Sequence, residues 1–189
     1  YAFFWLTRRA PRSTRDATPR PYTPRVRSGA FEPIGLSFIG ASLSSPGAME
    51  SHEHRIKKEL PLRPIYLADR PGAATPEWTF NMLLKHGVRS CFEYAKTFDR
   101  ERARALSNPA LAPHLAFVDM GAHGYAKVQL SADEMRTEFV CIPRPITRSE
   151  RPDGGPLRYR IAHTAKLWRP GERPRLAQQV LEGDPGLGI

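Results

Sequence analysis

Proline and glycine interrupt this chain so often that it cannot form a long helical bundle: 19 prolines and 14 glycines fall among 189 residues. Each proline fixes φ and withholds a backbone donor, so helices and central strands stop where one falls. The expected fold is therefore rich in loops, built from short helices and short strands. The length suffices for one ordinary domain with a sizeable core. With 40% hydrophobic and 25% charged residues, the bulk reads as globular rather than disordered. No apolar run approaches the roughly 20 residues that cross a bilayer as a helix, so no membrane span is expected.

The formal charge of +10 is unevenly placed. Residues 1–30 hold seven arginines (Arg8, Arg9, Arg12, Arg15, Arg20, Arg25 and Arg27) and one acid, Asp16, which leaves +4 for the rest. With Pro11, Pro19, Pro21 and Pro24 among them, they read as a basic segment, disordered or loosely docked, ahead of a folded unit at 31–189. A basic arm can hold nucleic acid or an anionic surface through phosphate contacts, and such a binding module is the alternative functional reading. Aromatic residues are not interleaved with these arginines as stacking platforms, so a solvated segment is preferred and nucleic acid is not the expected partner. Residues 1–6 are apolar but shorter than a secretory core and lack a basic stretch before them.

Beyond residue 33 the pattern is α+β. Residues 36–41 form a short apolar run, read as a strand, and 65–68 as a second extended piece. Thr75-Pro76-Glu77 combines a capping hydroxyl, a proline suited to the first helical position and an acid, and Gly87 is a natural stop. A second helix is expected from Ser90, with Cys91, Tyr94, Ala95 and Phe98 on one stripe. Residues 115–120, 125–130, 136–142, 157–167 and 176–181 read as strands of an antiparallel sheet, the last at an edge. Asp153-Gly154-Gly155-Pro156 marks a turn.

Few residues carry a chemical signature. Gly40-Ala41-Ser42-Leu43-Ser44 approaches a nucleophile elbow but lacks the second glycine that the strained turn needs. His52-Glu53-His54 has metal-ligand types at strand spacing, yet Arg55, Lys57 and Lys58 follow it, and a solvated charged face fits better. His163 falls on the apolar face of its strand and reads as a hydrogen-bonded core histidine. His86 ends a helix, where a cation suits the dipole. His123, flanked by Gly121 and Gly124, suits a site wall and a tight bend equally. Cys91 and Cys141 lie fifty apart and read as small buried apolar residues. Ser131 and Glu134 have capping-box spacing between strands and carry no chemistry. No phosphate-cradling glycine loop is present.

Several stretches together bring a family into view. Phe38-Ile39-Gly40-Ala41-Ser42-Leu43-Ser44-Ser45-Pro46-Gly47-Ala48-Met49-Glu50 resembles a stretch late in PhoD-type alkaline phosphatases, with its Ser-rich turn and Pro-Gly. Asn108-Pro109 through His114-Leu115-Ala116-Phe117-Val118-Asp119-Met120, leading into Gly121-Ala122-His123-Gly124-Tyr125, is similar to that family's strand entry. Residues 139–145 and 178–185 resemble its tail. The resemblance covers about 31–189 in order and spacing; 7–30 do not match it well.

It implies the C-terminal part of a calcineurin-like α/β sandwich, with mostly antiparallel strands and two helices. The activity implied is metal-dependent hydrolysis of phosphate mono- or diesters, with iron and calcium activating water. The family is often exported in bacteria. Its metal ligands lie in the earlier two-thirds of its pattern, and the last of them precedes an aromatic stretch that residues 1–5 resemble. The expectation is therefore a fragment that starts after the final ligand, inactive alone, with no metal bound. Ser44, Ser45 and His123 are the positions expected near the pocket wall.

Overall fold

The computed structural model describes residues 2–8, 33–41, 47, 58, 76–143, 150–152, 156–170 and 172–186. They form a mixed α+β arrangement in three layers. Strands β1 (Ala2–Arg8), β2 (Pro33–Ile39) and β3 (Leu115–Asp119) make an antiparallel sheet in the order β2-β1-β3. Strands β4 (His123–Leu130), β5 (Glu134–Ile142), β6 (Tyr159–Lys166) and β7 (Leu176–Gly183) make a second antiparallel sheet, paired in chain order. Helices α1 (Pro76–His86), α2 (Val88–Thr97) and α3 (Arg100–Ala105) form the third layer. Where two helices were expected there are three, because Asp99 caps a new helix after the break at Phe98.

Local chemistry explains the helical layer. Gly87, at φ 96°, closes α1 by donating to the carbonyls of Met82 and Leu83, and then stands as the N-cap of α2. Only a residue at home in positive φ turns the chain so sharply. Phe98 ends α2 in a left-handed conformation, and Asp99 Oδ1 accepts from the backbone N–H groups of Glu101 and Arg102 to start α3. Phe80, Met82, Cys91, Tyr94 and Ala103 then pack on Val118 and Met120.

The other face of the three-stranded sheet meets the four-stranded one. Phe117 stacks on Phe139 at 6.3 Å between ring centres and meets Tyr159 edge-on at 6.1 Å. Ala122, Cys141 and Ile161 fill the space around them, with Leu36, Phe38 and Leu176 packed at the margin. Alternation along β5 and β6 sends Thr137, Phe139 and Cys141 inward with Tyr159, Ile161 and His163, since these pairs sit opposite in register. β4 alternates in the same way, yet Val128 and Leu130 on its apolar face are exposed. β4 is an edge strand, and all but its first two residues are exposed.

Every strand expected at 115–181 is present within a few residues, and β7 is an edge strand as expected. Within the segment read as a basic arm, Ala2–Arg8 forms the central strand of the first sheet. Residues 65–68 and 153–155 lie outside the described residues, as does His52-Glu53-His54.

Candidate functional site

The three layers meet at one carboxylate. Asp119, the last residue of β3, is fully buried. Its Oδ1 accepts from Asn81 Nδ2 of α1 at 3.3 Å and from the Gly121 N–H at 3.1 Å. Its Oδ2 accepts from the Tyr159 hydroxyl of β6 at 2.9 Å and stands 3.7 Å from Arg158 Nη1. Asn81 also accepts from the Met120 N–H at 2.7 Å, so its amide is held from both ends. Burial, with the Asp119 charge beside it, pushes the Tyr159 phenol well above its ordinary range. The hydroxyl therefore stays a donor to the carboxylate.

Arg158 carries the junction outward. Its guanidinium lies 5.6 Å from the Trp78 ring centre, and Arg100 lies 5.7 Å from the same ring. Both distances fall within cation–π range. Arg100 in turn pairs with Asp184 at 3.3 Å. With three hydrogen bonds and a nearby guanidinium drawn from α1, the β3 end and β6, Asp119 fastens the layers together.

The histidines separate clearly. His163 is buried among Phe117, Phe139 and Phe38, with ring centres at 5.4, 5.5 and 6.4 Å, and its Nε2 faces Gln178 Oε1 at 3.1 Å. Burial pushes its pKa down to about 4, so it is neutral near pH 7 and is the core histidine expected. His86 corrects the expectation of a cation at a helix end. Burial, aided by Lys85 and Arg104, lowers it to about 4, and its Nδ1 meets Ser107 Oγ at 2.8 Å. The other basic residue of that last turn, Lys85, donates its ammonium to the Leu115 and Ala116 carbonyls of β3 at 2.6 and 2.7 Å and so ties the helix to the sheet.

His123 opens β4 opposite Ile142 and is buried. The glycine beside it is explained by the bend: at φ 144°, a Cβ on Gly124 would stand 2.0 Å from the Val140 carbonyl oxygen. Ser44 and Ser45 lie outside the described residues, as do Ser42 and Leu43 of the elbow-like stretch. Cys91 and Cys141 are free and buried in different clusters, and burial pushes their thiols up to about 12 and about 11. Ser131 Oγ accepts from the Asp133 and Glu134 N–H groups, which builds the β4–β5 turn.

Among the described residues, two open cavities stand out. One of about 570 Å³ lies between Phe98–Arg104 and Asp184–Gly186, its charges mixed. The other, about 670 Å³, lies over the β6–β7 connection and is lined by Lys166, Trp168, Arg173 and Arg175 among others. Sequence reading placed neither Asp119 nor this groove. A charged residue closing an apolar strand before a glycine was the available signal for the first. No helix among the described residues is long and apolar enough to cross a membrane. No protein-family profile, curated protein or solved structure matches the chain.

Proposed function

We propose that residues 31–189 are the C-terminal part of a PhoD-like metallophosphoesterase and supply the frame of a calcineurin-like sandwich. The observation that carries this reading is the layer order. Two antiparallel sheets pack face to face, and helices cover the outer side of one. That is the architecture the resemblance at 38–47, 108–125 and 178–185 leads one to expect.

Among the described residues no three His, Cys, Asp or Glu side chains gather to hold a metal. Asp119 is engaged by Asn81, Gly121 and Tyr159, while His163 and His86 are occupied in packing and hydrogen bonds. The role proposed for this chain is structural: to hold the sheets at the spacing a complete site requires, and to exclude water behind it.

A chimera tests the reading. The whole chain, β1 included, is joined behind the metal-ligand-bearing portion of an active PhoD-like phosphatase and assayed on p-nitrophenyl phosphate and bis-p-nitrophenyl phosphate with iron and calcium. The chimera is expected to hydrolyse at least one ester, and the unjoined chain neither. A chimera that folds and loads metal but leaves both esters intact removes the proposal.

A further inference from the structure

The outer face of the four-stranded sheet is divided in its chemistry. At one end Arg160 lies between two acids, bonded to Glu138 at 2.7 Å and to Glu182 at 3.5 Å, so charge is balanced across three strands. At the other end, between Thr164 and Ala177, the chain carries Lys166, Arg169, Arg173 and Arg175 against the single acid Glu172. Glu172 is turned back on its own loop, where its carboxylate accepts from the Arg169 N–H at 2.9 Å. That stretch holds a net +3 of the +4 carried beyond residue 30.

The same end is concave. Thr164, Lys166 and Ala177 lie on the outward side of β6 and β7, opposite in alternation to Ile161, His163 and Ala165. The connection between these strands rises beside them and encloses about 670 Å³. Trp168 is half-buried in its wall, and the neighbouring Leu167 is exposed. An aromatic plate set among cations in a folded groove differs from the proline- and arginine-rich stretch at 9–27, where Tyr22 is the single ring among six arginines.

We infer that this groove binds single-stranded nucleic acid, with a base stacked on Trp168 and the flanking phosphates on Lys166, Arg173 and Arg175. The chemistry separates this ligand from other anions. A duplex keeps its base faces stacked inside the helix and offers none to Trp168, while polyglutamate has carboxylates but no ring to stack. Stacking on an aromatic face is indifferent to base identity, so no sequence preference is expected.

The test uses the whole chain and a fluorescein-labelled ten-nucleotide oligothymidylate, read by anisotropy. Three phosphate contacts on a single strand give a salt slope near −2, so affinity is expected to fall about fifteen- to twentyfold between 50 and 200 mM salt. Trp168→Ala is expected to weaken binding about tenfold, and Trp168→Phe to hold it within about threefold. Lys166→Glu with Arg175→Glu, both at exposed positions, should abolish groove binding without lowering the melting temperature. The arginines ahead of residue 30 can add salt-dependent affinity, but none that answers to Trp168. Unchanged affinity in Trp168→Ala, a duplex bound as tightly as the single strand, or equal competition by polyglutamate would each overturn the inference.

Discussion

The two faces of the three-stranded sheet are closed by different means. On one face, Met82, Cys91, Tyr94 and Ala103 come from three helices that follow one another in the chain, within 76–105. On the other, Phe38, Phe117, Phe139 and His163 come from four separate strands. The helical face is assembled from neighbours, each helix positioned by the cap that ends the one before. The aromatic face forms only after long loops close, at an entropic cost that the stacked rings must offset. It also buries an ionisable imidazole, so its stability is tied to pH. Asp119 is where the two constructions are fastened together, since its partners come from α1 on one side and β6 on the other.

Asp119→Ala is accordingly the change expected to cost most. It leaves the Tyr159 hydroxyl, the Asn81 amide and the Gly121 N–H without their acceptor and Arg158 without its counter-charge. Breaking a buried pair from one side costs about 3–5 kcal/mol. Equilibrium unfolding in urea should show that loss, with Asp119→Asn less damaging because an amide oxygen still accepts. A loss below about 1 kcal/mol would mean that the layers are not joined there.

The next effect distinguishes the faces by acid. A free histidine titrates near 6.5, whereas buried His163 titrates at about 4. Between those values the unfolded chain binds a proton that the folded chain refuses. Stability is therefore complete above about pH 6.5, declines as pH falls toward 4, and levels off below. The full loss is on the order of 3 kcal/mol. His163→Phe should flatten this limb when unfolding is followed at pH 7.5, 5 and 4. His86, lowered to about 4 as well, adds its own part of the limb from the helical layer, smaller because His86 is only half-buried, so His86→Gln should remove less of it than His163→Phe. If His86→Gln flattens the limb instead, the acid-sensitive face has been assigned to the wrong side.

What could be read in advance follows the same division. Pro76, Gly87 and the stripe of Cys91 and Tyr94 are local signals, and the helices lie where these put them. The strand alternation at 159–166 also put Tyr159, Ile161 and His163 on the inward face, where they lie. The partnership of β1 with β3 was not legible, because 106 residues separate Arg8 from Leu115 and nothing in either segment names the other. Asp119 was hidden for a similar reason: its importance comes from Asn81 and Tyr159, 38 and 40 positions away. The basic groove escaped notice because Lys166 and Trp168 belong to one strand end, while Arg173 and Arg175 join them only once the connection folds back.

β4 marks the limit of alternation as a guide, and the smallest expected effect lies there. Ala126, Val128 and Leu130 repeat at the spacing of a buried face, yet Val128 is 49% and Leu130 76% exposed. Polar replacement at such positions removes little apolar area that folding had buried, so the transfer term nearly vanishes. Leu130→Thr is expected to change stability by less than about 0.5 kcal/mol, within the range of ordinary surface substitutions. Threonine is also a good strand residue, so the edge pairing with Met135 should persist. Phe139, on the same face one strand inward, is fully buried, and its replacement by Thr should be far more damaging. If Leu130→Thr proved nearly as costly, the aromatic face would have to extend over the edge strand, and the contrast between covered centre and open margin would fail.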